Sequence, residues 1–305
     1  MFVAGALVCP PFFIVASARS GTTFLRLALN AHPEVAVPPE SRFITELYDG
    51  ADEVNTSEFL ERLAAHKRFT VWNLPVEVVA QLLGERTWVP YAEAIAAPYK
   101  AYAAQHGKRY WGDKTPRYIE HIPFLARLFP AARFIHPVRD GRNVALSYAH
   151  VSFGPKTVVA AAELWARRVS AGMRAGRALE PGRYLEILNE DLAEDPEGEM
   201  RDICRFLGLD FHPAMLSPEE RRRGVVDKVT HSYDPTSAGR ARMSDWKSDM
   251  PPTHVEMFEA VAGNVLSELG YERRFSDPGA LAKLKARLAR WGLPIGRLKA
   301  TSPQS

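Results

Sequence analysis

The chain has 305 residues, 46% hydrophobic and 25% charged, a globular balance that excludes a disordered or fibrous protein and leaves room for one large α/β domain or two small ones. A net charge of +3 suits an anionic ligand and is too small to argue for nucleic acid. Two distant cysteines, Cys9 and Cys204, build no disulfide framework, and no Cys or His spacing suggests zinc. Two buried thiols, a reducing cytoplasm and metal-independent chemistry are therefore expected.

The first 18 residues are apolar and end on Ala16-Ser17-Ala18, as a secretory leader would. No Lys or Arg precedes Arg19, however, and Pro10-Pro11 interrupt the run, which is too short to span a bilayer. It reads as a lead-in followed by a buried strand over 12–16, in a cytoplasmic protein. Small residues over 17–22 make a turn. Phe24, Leu25 and Leu29 then predict a helix over 22–30, stopped by His32-Pro33. Residues 51–108 are helical in flavour but poorly patterned.

A second strand is predicted over 110–114, then a helix over 119–128, a third strand over 133–138 and a helix over 141–151. A long amphipathic helix over 156–175, a fourth strand over 184–188 and a helix over 197–207 ending at Gly208 follow. Strands alternating with helices indicate an α/β fold with a central parallel sheet flanked by helices. The economical division is one domain over 1–275 and a basic C-terminal tail over 276–305. The tail places Leu281, Leu284, Leu288 and Trp291 on one helical face, with Lys283, Lys285, Arg287 and Arg290 nearby. The expectation is a helix packed on the domain with its charged face in solvent; the alternative is peripheral contact with a membrane or recruitment of an acidic acceptor.

Two strand-loop-helix units carry the chemistry. In Ser17-Ala18-Arg19-Ser20-Gly21-Thr22-Thr23, small residues let successive backbone N–H groups point at one anion, and the following helix N-terminus adds its positive end. Arg19 supplies a fixed charge, and Thr22 and Thr23 supply hydroxyls. No lysine follows Gly21, so the loop lacks the Mg²⁺-nucleotide chemistry of G-x-x-x-x-G-K-[ST]. In the second unit, Arg139 stands at the end of strand 133–138 and Ser147 lies eight residues on, able to clamp one phosphate from two sides. A plain βα turn, an exposed arginine and a surface serine are the bland alternatives.

These motifs resemble those of the sulfotransferases that use 3′-phosphoadenosine 5′-phosphosulfate (PAPS). Residues 18–23 look like their 5′-phosphosulfate loop, and 138–147 like their 3′-phosphate motif. Asp113-Lys114-Thr115-Pro116, Asn189-Glu190-Asp191-Leu192 and Phe206-Leu207-Gly208-Leu209 extend the resemblance over about 12–272. Residues 19–35 and Glu40-Ser41-Arg42 are similar to the tyrosylprotein enzymes and their bacterial relatives. The resemblance implies a P-loop-like three-layer fold, PAPS as donor with PAP as product, and no metal. It implies Glu40 as general base, with Lys114 and Arg19 at the leaving group. Arg19, Ser20, Gly21, Thr22, Thr23, Arg139 and Ser147 would bind the cofactor, with Gly239 and Arg240 in a loop closing over it. Asn189 departs from the tyrosine that many relatives place beside the adenine.

Sulfuryl transfer by in-line displacement needs a base and cations near the bridging oxygen, by analogy with phosphoryl transfer. Pro38-Pro39 stiffen the loop holding Glu40, and Asp113 is a reserve base. His136, inside an apolar strand, reads as a core residue. Trp72, Trp88, Tyr91 and Tyr99 belong either to an acceptor pocket or, more commonly, to the core. A small-molecule or lipid acceptor is expected, with sugars and tyrosine also open, and nucleic acid is not. A binding module that has lost the chemistry is the alternative, and the presence of Arg19, Lys114 and Glu40 together favours an enzyme.

Overall fold

The computed structural model describes residues 10–223, 245–290, 293 and 295–298. Its centre is a five-stranded parallel sheet in the order β2-β5-β1-β6-β7. The strands are β1 (Phe12–Ile14), β2 (Val35–Ala36), β5 (Tyr110–Lys114), β6 (Arg133–Val138) and β7 (Tyr184–Leu188). Between β2 and β5 a separate antiparallel pair joins β3 (Glu53–Asn55) to β4 (Trp88–Pro90). β1 lies in the middle, with Phe12 opposite Gly112 on one side and Arg133 on the other. Gly112 is needed there, because a Cβ would stand 2.3 Å from the Phe12 ring.

The alternation of β1 explains the layers. Phe13 and Val15 turn to one face, into a core with Trp111, Phe134 and the helix Tyr91–Gln105. Phe12 and Ile14 turn to the other, against Phe24, Leu25 and Leu29 of the helix Thr22–Ala31 and against Met200 and Leu207 of the helix Pro196–Leu207. A third core joins the helices Gly141–Tyr148, Val158–Arg177 and Pro252–Glu268 around Trp165 and Phe258. No helix among the described residues is long and apolar enough to cross a membrane.

The four expected strands are present, and the sheet adds β2, whose two residues are too few to show a period. The pair β3–β4 is likewise new within 51–108. The expected helix over 119–128 divides into a 3₁₀ turn, Pro116–His121, and a helix, Ile122–Leu128. Gly208 ends its helix in the left-handed region, with φ 72°. His136 is buried in the core, with Nδ1 2.6 Å from the Tyr184 hydroxyl, and burial lowers its pKa to about 3. Trp72, Tyr91 and Tyr99 are core residues, whereas Trp88 is exposed. Cys204 is buried, which raises its pKa to about 11; Cys9 lies outside the described residues.

The tail helix Ala280–Arg290 packs on Pro252–Glu268 and Val158–Arg177, but not through its leucines. Ala282 and Ala286 are the buried residues, and Leu281 and Leu284 are 63% and 51% exposed. The outer face carries the exposed Lys283 and Arg287 that were expected, and two leucines that were not. Alanines let the helix approach closely, and the leucines one position earlier and two later then point away.

Candidate active site

Every site residue expected from the sequence that lies among the described residues stands at or beyond the carboxyl end of a parallel strand. Arg19 to Thr23 follow β1, Glu40 follows β2, Lys114 ends β5, and Arg139 follows β6. Since the strands are parallel, those ends share one edge of the sheet, the place where open α/β sheets take ligands.

In the β1 loop, Arg19 and Gly21 have φ 72° and 78°, on either side of Ser20. Left-handed residues alternating along a loop turn successive amides to one side, which makes an anion nest. An arginine in this region costs roughly 1–2 kcal/mol, so surrounding structure must hold it. Gly21 caps the helix Thr22–Ala31, whose first turn has no side-chain cap and no acidic residue. The Ser17 and Ser20 hydroxyls are buried without a hydrogen-bond partner among the described residues. Such atoms carry a desolvation cost unless something binds them.

The second unit closes on the first. Arg139 Nη1 donates to the Arg19 carbonyl at 3.4 Å, and Arg19 Nε donates to Ser147 Oγ at 3.4 Å. Burial lowers the pKa of both guanidiniums, and Arg19 lowers that of Arg139 further, against the raising effect of Glu190. Among the described residues neither arginine has an ion-pair partner, and Arg139 Nε is buried and unpartnered. The Trp165 indole donates to the Arg139 carbonyl at 3.0 Å and fixes the strand end.

Glu40 and Lys114 meet directly, Nζ to Oε1 at 2.7 Å. Burial acts to raise the Glu40 pKa, but the Lys114 ammonium, helped by Arg68 and Arg42, outweighs it and holds the carboxyl below its ordinary value. Burial lowers Lys114 in turn, with Glu40 opposing and Arg26 adding to the shift. Their neighbours hold the pair in place. The Ser41 amide donates to Thr115 Oγ1 at 3.2 Å, and the Ser41 and Tyr118 hydroxyls are 3.0 Å apart. The Trp72 indole donates to the Pro39 carbonyl at 3.0 Å. Asp113, the reserve base, lies under this layer, fully buried, and accepts from the Tyr99 hydroxyl at 2.7 Å. Burial raises its pKa to about 6. It supports the layer rather than facing an acceptor.

The structure thus brings together Arg19, Arg139 and Ser147, and separately Glu40 and Lys114. Gly239 and Arg240 lie outside the described residues. Arg142, beside the second motif, is a packing residue: it pairs with Asp140 at 2.7 Å and Glu259 at 2.6 Å and lies 3.5 Å from the Trp246 ring centroid. Asn189 packs on the β1 loop, since a Cβ on Gly21 would stand 1.8 Å from its Oδ1. Sequence reasoning missed Glu190, which accepts from the Asp140 amide at 3.0 Å and the Tyr271 hydroxyl at 2.9 Å. It also missed Arg26, buried in an apolar helix and donating to the Val37 carbonyl at 3.2 Å. A charged residue on a buried face was the available signal. No group of three or more His, Cys, Asp or Glu among the described residues could hold a metal ion.

The family model described as "Sulfotransferase family" matches residues 10–213. Protein-tyrosine sulfotransferase 1 of Danio rerio is 28% identical over 287 residues, covering 88% of this chain and 74% of that one. The nodulation protein NoeE of Sinorhizobium fredii is 25% identical over 321 residues, 93% of this chain and 71% of its own. Among solved structures, the sulfotransferase domain of the Synechococcus olefin synthase superposes with a TM-score of 0.61 at 25% identity, covering 89% of this chain and 99% of that one. The sulfotransferase domain of the curacin pathway gives 0.60 at 22% identity over 88% and 100%.

Proposed function

The chain belongs to the sulfotransferase family, and from that premise we propose that it transfers a sulfuryl group from PAPS to a hydroxyl of a small-molecule or lipid acceptor, with Glu40 as general base. The observation that carries the donor is that the desolvated guanidiniums of Arg19 and Arg139 both lie at the β1 loop, one bonded to Ser147 and the other to the Arg19 carbonyl, with no ion-pair partner among the described residues. Burial disfavours both charges and the Arg19 charge disfavours that of Arg139, a cost that a bound anion would offset. The unpartnered Ser17 and Ser20 hydroxyls and Arg139 Nε fit the same ligand.

In this reading Arg139 and Ser147 hold the 3′-phosphate, and the loop from Arg19 to Thr23 holds the 5′-phosphosulfate. PAPS supplies the sulfuryl group and a phosphate leaving group. Lys114 and Arg19 stabilise the charge that develops on leaving, as preorganised cations in a partly dry site do. Glu40 takes the proton from the acceptor hydroxyl. The names of several relatives point to protein tyrosine, which makes a phenol one acceptor to try beside sterols, sugars and glycolipids.

The test is a thermal unfolding series. PAP at 100 times its dissociation constant should stabilise the protein by about 2.7 kcal/mol. Arg139→Ala should remove that shift. A shift with ATP and Mg²⁺ and none with PAP would overturn the reading. Incubation with PAPS and pooled acceptors, followed by mass spectrometry, should then find a product heavier by one sulfuryl group.

A further inference from the structure

The tail helix Ala280–Arg290 presents an arrangement that a helix in water does not favour. At about 100° per residue, Leu281, Leu284 and Leu288 form one stripe and Ala282, Ala286 and Ala289 another, well over a right angle away. A helix held only by its own domain gains most by burying the leucines. Here Ala282 and Ala286 are buried, Ala289 and Leu288 half-buried, and Leu281 and Leu284 lie in the open, followed by Leu293 at 46% exposure. The helix is not loose. Gly279 N donates to Glu256 Oε1 at 2.9 Å before it, and beyond it Gly296 O and Leu298 N bond to Val158 and Lys156. Leu281 and Leu284 are therefore held outward.

Charge says what covers them. Residues 278–305 carry six basic and no acidic side chains, while the 277 residues before them carry 33 basic against 36 acidic. On the helical wheel Lys285 and Arg287 fall on opposite sides of the leucine stripe, Arg287 exposed and Lys285 half-buried. An apolar stripe rimmed by long basic side chains matches the acyl-headgroup boundary of an anionic bilayer: leucines enter the apolar layer, and Lys and Arg reach back to the phosphates. A second copy of this chain fits less well, because a two-fold contact would set the same basic rims against each other.

We propose that the outer face of helix Ala280–Arg290 is a membrane-contact surface that seats the protein on anionic lipid. The inference does not depend on the donor or the acceptor of the reaction.

Vesicle flotation tests it with the full chain. Phosphatidylcholine vesicles with roughly 30 mol % phosphatidylserine should carry the protein, and phosphatidylcholine alone should carry at least tenfold less. High salt should weaken the binding. Leu281→Ser with Leu284→Ser, and separately Lys285→Glu with Arg287→Glu, should each reduce partitioning at least tenfold. Thermal midpoints close to wild type would show that both variants are folded. Three results would overturn the proposal. One is no flotation of the wild type. Another is flotation unchanged in both folded variants. The third is a dimer in solution that the leucine variant dissolves, or binding to an acidic peptide that exceeds binding to the vesicles; either gives the surface to a protein.

Discussion

At the scale of single residues, the contact between Glu40 and Lys114 limits what each can do. While Lys114 sits 2.7 Å away, Glu40 is held below its ordinary pKa and is a weak base. Burial alone acts the other way, so a Lys114 that turns to the leaving group leaves behind a stronger base. Glu40→Gln should bind PAP as the wild type does and turn over about 10²–10⁴-fold more slowly, a barrier rise of about 3–5 kcal/mol. Calorimetry and initial rates separate the two. The wild-type rate should fall as pH drops through the Glu40 pKa, below the ordinary carboxylate range, because only the ionised form accepts a proton. An acid limb that persists unchanged in Glu40→Gln would move the base elsewhere. This pair was legible only through family resemblance, since the residues are 74 positions apart and no local pattern links them. Trp72 and Tyr99 were readable as core but not as supports, because a ring's buried face shows in the sequence and the partner of its polar tip does not.

At the scale of elements, the unit of β1, its loop and the helix Thr22–Ala31 was legible, because an apolar run, a cluster of small residues and a helical period follow one another without interruption. β2 was not, since its place depends on hydrogen bonds to β5 from far along the chain. Gly21 shows how tightly the unit is made. Its φ of 78° disfavours any side chain, and Asn189 fills the space a Cβ would need. Gly21→Ala should destabilise the protein by at least about 1–2 kcal/mol and weaken PAP binding. Adding Asn189→Ala should recover part of the stability, because the overlap is relieved while the φ penalty remains. Urea unfolding measures both. A neutral Gly21→Ala would mean that the loop adopts this conformation only loosely.

Across the whole molecule, Arg142 ties the sheet to the C-terminal helices. It is buried with Asp140 and Glu259, donates to the Glu272 carbonyl at 2.8 Å and lies over Trp246. Glu259→Gln should cost about 3–5 kcal/mol in urea unfolding, since it removes one partner of a buried charge. Lys247→Ala, which breaks the exposed pair with Glu272 at 2.8 Å, should cost no more than about 1 kcal/mol. Equal losses would mean that the buried cluster is not what joins the two regions. The alternation of strands and helices made the parallel architecture legible. The strand order was not, because which strands become neighbours is decided by packing across the sheet. That order has a metric consequence. With β5 and β6 on either side of β1, the strands that end at Lys114 and just before Arg139 are two intervals apart, roughly 10 Å at the usual strand spacing. Backbone hydrogen bonds maintain that gauge. Substitution can change the charge at either station but hardly the interval, so the sheet fixes the spacing of these two cations independently of the side chains that carry them.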